Sequence, residues 1–64
     1  MKNLTLSEII LIHVKADGPV TMDSIVNYCR LQYGKVNTYE VANCLNDLIV
    51  LGEIKLYDDG ESFV

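Results

Sequence analysis

Sixty-four residues leave room for a single domain, and a chain this short buries only about 60% of the surface its unfolded form exposes, so its half-apolar composition implies a densely used core or a dimer. Nine Asp and Glu against five Lys and Arg give a net charge of -4, which argues against a generic phosphate-binding surface. Ile9 to Val14 is too short an apolar run to span a bilayer, and the polar residues from Lys2 to Glu8 do not resemble a signal peptide, so a cytoplasmic protein with two reduced thiols, Cys29 and Cys44, is expected.

The first helix opens at Thr5-Leu6-Ser7-Glu8, a capping box in which the Thr5 hydroxyl and the Glu8 carboxylate satisfy each other's free backbone amides, with Leu4 and Ile9 placed as a hydrophobic staple. It should end near Ala16, because Gly18 supplies a left-handed cap and Pro19 cannot continue a helix. Leu6, Ile9, Ile10 and Val14 form one apolar face, while Leu11 and Ile12 flank a narrow polar strip of Glu8 and Lys15. His13 falls between Leu6 and Ile9 on the apolar side, which predicts a packed or dimer-facing imidazole. Its burial would favour the neutral form and give a pH-responsive contact.

Val20 is left extended before Thr21 caps a second helix that runs to about Tyr33, with Met22, Ile25, Val26 and Cys29 on its apolar face and Gly34 closing it. Only Lys35 and Val36 separate it from a second capping box, Asn37-Thr38-Tyr39-Glu40, stapled by Val36 and Val41. Two helices joined by so short a turn make a helix-turn-helix. The third helix is predicted to bury Val41, Cys44, Leu45, Leu48 and Ile49 and to end at Gly52. Residues 53–57 then alternate as a strand with Ile54 and Leu56 inward; Asp59-Gly60 favours a two-residue type I′ turn, and Glu61 to Val64 returns.

The expected fold class is α+β, mostly α: three helices and a carboxyl-terminal hairpin in one domain spanning residues 1–64. Over nearly its whole length the chain resembles the winged helix-turn-helix superfamily, through residues 18–25 (GPVTMDSI) and then Leu45-Asn46-Asp47-Leu48 leading into Leu51-Gly52-Glu53-Ile54. The resemblance implies that Val20 adds a short third strand to the wing sheet and that the third helix is the element that enters a major groove. It also implies a dimer through the apolar first helix, with Leu11, Ile12 and His13 on that surface. Free-standing domains of this kind and size are often encoded by phages and mobile elements, and they serve many functions.

At 100° per residue, Tyr39, Glu40, Asn43, Asn46, Asp47 and Val50 face away from the core. Two readings follow. In the DNA reading, Thr38, Tyr39, Asn43 and Asn46 sit in the groove and Arg30, Lys35 and Lys55 contact phosphates. In the protein reading, Glu40, Asn43 and Asp47 with the hairpin tip Asp58, Asp59 and Glu61 form an acidic surface for a protein partner. Charge favours the protein partner, because the third helix carries no Lys or Arg; a sequence-specific DNA-binding regulator, working as a dimer, is the alternative.

Catalysis is not expected. The chain has no glycine-rich phosphate loop, no paired carboxylates in an apolar setting and one histidine, and so small a fold offers no cleft of roughly 300 Å³ or more for a small-molecule substrate. No cofactor is implied, and His13, Cys29 and Cys44 lack the spacing of a metal site.

Overall fold

The structure, a computed structural model, describes residues 4–64. Three helices, α1 (Leu6–Asp17), α2 (Met22–Tyr33) and α3 (Thr38–Val50), pack on one another, and a small antiparallel sheet joins β1 (Val20–Thr21) to β2 (Ser62–Phe63). The chain is therefore α+β and mostly helical.

Each helix starts where a short polar side chain can satisfy its free amides. The Glu8 N–H donates to Thr5 Oγ1 (3.2 Å) and the Thr5 N–H to Glu8 Oε1 (2.9 Å), and the same reciprocal pair recurs between Asn37 and Glu40 at 2.8 and 3.2 Å. Thr21 caps α2 through the Ser24 amide (3.2 Å). At the other end of α3 the Glu53 N–H reaches Leu48 O (2.9 Å) and the Gly52 N–H reaches Ile49 O (3.0 Å), the paired bonds of a Schellman motif. That motif needs a positive φ at the residue after the cap, and Gly52 has φ 79°.

The end of α1 differs from the expected left-handed cap. Gly18 has φ -59° and ψ 151°, extended rather than left-handed, because the ring of Pro19 disfavours helical geometry in the residue before it. The Gly18 N–H still closes the helix on Val14 O at 2.9 Å. What demands glycine here is proximity: a Cβ would collide with the Val14 carbonyl oxygen and lie 3.3 Å from that of Phe63.

The core is drawn from all three helices, with Ile10, Val14, Ile25, Cys29 and Val41 the most enclosed, and Val20, Val36 and Ile54 closing its edges. Two residues expected in it are outside. Ile49, on the last turn of α3, is 39% exposed beside an unfilled groove. Leu56 is 52% exposed: Ile54 sits under the core, but two residues further, about 6.6 Å along the strand, the hairpin has run past the packed body. Leu11, in contrast, is half-buried against the core.

β2 is the central segment of the sheet. Val20 lies opposite Phe63 and Thr21 opposite Ser62 on one side. On the other, Lys55 and Val64 exchange both backbone hydrogen bonds (2.8 and 2.9 Å), the Tyr57 N–H donates to Ser62 O (2.8 Å), and Leu56 bridges to Phe63. The hairpin tip is not the expected two-residue turn. Four residues, 58–61, connect the paired Tyr57 and Ser62, with the Gly60 N–H donating to Tyr57 O at 3.0 Å. A type I′ turn needs positive φ at both central residues, and only glycines adopt it here among the described residues.

Candidate functional site

The surface that the helix-turn-helix presents is built on α3. Val41, Leu45 and Leu48 anchor one side of this helix in the core, so the opposite side is turned to solvent. Along the centre of that outward face run Tyr39 (82% exposed), Asn43, Asn46 and Val50 (77% exposed). Glu40 and Asp47 follow one flank, and Ile49 lies on the other. No Lys or Arg occurs on α3.

The sequence placed two sets of residues here, and the structure divides them. Asn43 and Asp47 are exposed, with no side-chain hydrogen bond or ion pair among the described residues, whereas the Glu40 carboxylate is held by the Asn37 amide as part of the cap. Charge reversal at Glu40 would therefore damage the helix itself, so Asp47 alone is a clean probe of charge on this face. Asp58, Asp59 and Glu61 are exposed at the hairpin tip, but Asp59 is committed internally: its carboxylate accepts the Glu61 N–H, the Ser62 N–H and the Ser62 hydroxyl, each at 2.8 Å. Asp59 is the residue that shapes the four-residue tip. Of the DNA set, Thr38, Tyr39, Asn43 and Asn46 are exposed on α3, and Arg30, Lys35 and Lys55 are exposed without an ion-pair partner among the described residues. Lys55 lies at the root of the hairpin, where it shares a groove with Lys15.

Those three hydrogen bonds hold the Asp59 carboxyl below its ordinary value of 3.8. The folded value is depressed, so the stabilisation it brings is present above the unfolded value and is lost as pH falls through the folded one. A carbon-detected NMR titration should give an Asp59 midpoint below 3.8, and Asp59→Ala should speed amide exchange at Ser62 while leaving α1 unaffected. An unshifted midpoint would remove Asp59 from the turn.

Sequence reasoning missed a polar cluster between α1 and α2. His13, expected to be either packed or facing a dimer partner, is only 7% exposed and packs within its own chain. Its ring stacks on Tyr28 (centroids 4.3 Å apart, planes 11° apart), and Nε2 lies 3.1 Å from Ser24 Oγ. Nδ1 is 3.3 Å from Asp17 Oδ2, an electrostatic contact without hydrogen-bond geometry. Asp17, His13 and Ser24 follow the atom order of a nucleophilic relay, but the buried, stacked ring lacks the open approach that a general base needs. The arrangement clamps two helices together. Only the His13–Asp17 half, at i, i+4, could have been read from the sequence.

Cys29 is fully enclosed in the core, and burial, followed by the neighbouring Cys44, pushes its thiol up, which makes it unreactive. No group of three His, Cys, Asp or Glu side chains among the described residues is arranged to hold a metal ion. No helix among them is long and apolar enough to cross a membrane. A depression larger than expected does exist: an open groove of about 480 Å³ between α1, the end of α3 and the hairpin root. Comparison with protein-family models, curated proteins and solved structures finds no match to this chain.

Proposed function

We propose that the chain is a winged-helix binding module that regulates a protein partner through the outward face of α3. The winged-helix assignment rests on element order, on the short turn between α2 and α3, and on β2 lying between β1 and the strand-like residues 55–57. The protein-contact assignment rests on one observation above the others: the centre of the outward face carries an exposed aromatic and an exposed valine, Tyr39 and Val50, with two amides between them and no cation. Tyrosine is a frequent anchor of protein interfaces, and duplex DNA draws much of its affinity from Lys and Arg on phosphates.

The same face supports a second reading. Asn43 and Asn46 have the donor and acceptor pair that reads adenine, and Arg30, Lys35 and Lys55 have charge to spare. The test separates the two. A labelled random-sequence duplex at low salt, roughly 20 mM, should show no salt-sensitive binding in fluorescence anisotropy. An immobilised wild-type domain should instead retain a partner protein that the Tyr39→Ala, Val50→Asp double variant binds roughly thirtyfold more weakly, the equivalent of about 2 kcal/mol at an interface anchor. Both substituted positions are solvent-exposed, so circular dichroism of the variant should match wild type. Salt-sensitive duplex binding would transfer the assignment to DNA.

A further inference from the structure

The outward side of α3 is laid out in parallel rows. Tyr39, Asn43, Asn46 and Val50 form the middle row, spaced four, three and four residues apart, and it runs about 16 Å along the helix. Glu40 and Asp47 stand seven residues apart on one flank, and Ala42 and Ile49 stand seven apart on the other. We infer that this side of α3 takes a single amphipathic helix of a partner protein, an inference that rests on reading the face as a protein contact. The partner helix sets lysine or arginine against Glu40 and Asp47 and an apolar row against Ala42 and Ile49.

Spacing selects a helix. Seven residues of α3 rise about 10.5 Å, and a second helix lying along it repeats each of its own rows at that same interval. Side chains on one face of a strand recur every ~6.8 Å, so neither one repeat nor two brings a cation to both carboxylates. Charge selects the flank. No ion pair joins Glu40 or Asp47 to a cation among the described residues, and Glu40 gives only Oε1 to the Asn37 amide, which leaves Oε2 for a partner. A basic row pairs with both carboxylates, whereas a second copy of α3 brings no Lys or Arg to either. The middle row sets the register. Tyr39 and Val50 take apolar side chains at its two ends, and Asn43 and Asn46 between them require amide partners, because an apolar layer there would bury their donors unpaired.

The experiment is an amide NMR titration of the full chain with a soluble helical peptide of roughly 18 residues, long enough to hold a helix. Its seam is leucine, glutamine, glutamine and leucine at the same spacing, with two lysines seven residues apart on one flank. One control peptide has glutamates in place of those lysines, and another carries the same lysines on the side away from the seam. Saturable shifts at Tyr39, Ala42, Asn43, Asn46 and Val50 are expected with the first peptide, and both controls should bind at least about tenfold more weakly, a difference of roughly 1.4 kcal/mol. Asp47→Lys, at an exposed position outside the cap, should keep a folded spectrum and bind the glutamate peptide about fivefold more tightly than wild type does. Equal binding of the two lysine peptides would mean attraction by net charge alone and would overturn the inference, as would no shifts at about 1 mM of the first peptide. So would self-association that the Tyr39→Ala, Val50→Asp variant removes, because a second copy would then be the occupant. A partner protein held through Tyr39 and Val50 but indifferent to Asp47→Lys would leave the protein reading standing and overturn the helix; salt-sensitive duplex binding would remove both.

Discussion

Ile10→Ala is expected to leave a large fraction of the chain unfolded at room temperature. Ile10 is among the most enclosed side chains of the core, and truncating a buried isoleucine to alanine costs about 2–5 kcal/mol through lost burial and the cavity left behind. Against that, a domain of this length has a total stability of roughly 3–10 kcal/mol. Urea denaturation followed by circular dichroism should show a midpoint displaced far toward zero, with the slope unchanged in so far as a transition is still measurable. Ile12, two positions on and 47% exposed, is the control: Ile12→Ala should change stability by no more than about 0.5 kcal/mol. A loss at Ile12 that rivals Ile10 and depends on protein concentration would mean that a second copy covers this flank of α1, the dimer expected through Leu11 and Ile12.

Gly18→Ala sets two effects against each other. Gly18 has a negative φ that alanine adopts without strain, so the reduced freedom of the unfolded chain would by itself stabilise the variant by about 0.4–1 kcal/mol. The added methyl, however, meets the Val14 carbonyl oxygen at a separation no real Cβ shows, and it crowds that of Phe63 at 3.3 Å. Both obstacles are backbone, so neither can rotate away. Relief requires the Gly18 N–H to draw back from the Val14 carbonyl that it bonds and the corner to part from Phe63, and overpacking of that kind costs about 1–3 kcal/mol. The steric term wins, and a net loss of about 1–2 kcal/mol is expected in the same urea measurement. A variant more stable than wild type would show that the α1–β1 corner yields easily.

What could be read from the sequence depended on how far apart the interacting residues were. Both capping boxes were legible because Thr5 and Glu8, or Asn37 and Glu40, are three positions apart and their chemistry is complete without the rest of the chain. The hairpin was legible as a hairpin but its tip was not. Asp59-Gly60 suits a two-residue turn in isolation, yet the Asp59 carboxylate does better by gathering two amides and a hydroxyl ahead of it. The apolar phase of His13 gave its side of α1 but not its neighbour, because Ser24 and Tyr28 belong to another helix and arrive only when the helices dock. Leu56 shows the limit of alternation: period two tells which face of a strand a residue occupies, not whether the body extends beneath it. The Lys15–Lys55 groove depends on the placement of three separate elements, which no local pattern records.

The pairing of β1 with β2 also sets an order of assembly. Every helix start is closed by a partner three residues away, so helical structure can form and dock early, at little cost in chain entropy. The Val20–Phe63 pair instead joins positions 43 residues apart, and a loop of that length carries a closure term of about 3 kcal/mol by the (3/2)RT ln n relation. The strand pairing must therefore come after the helices have shortened that loop by packing. By the same reasoning the amides of the Val20–Phe63 pairing are expected to exchange before those of the helix interiors, while Ile54, buried in the core, keeps the root of the hairpin on the helical body.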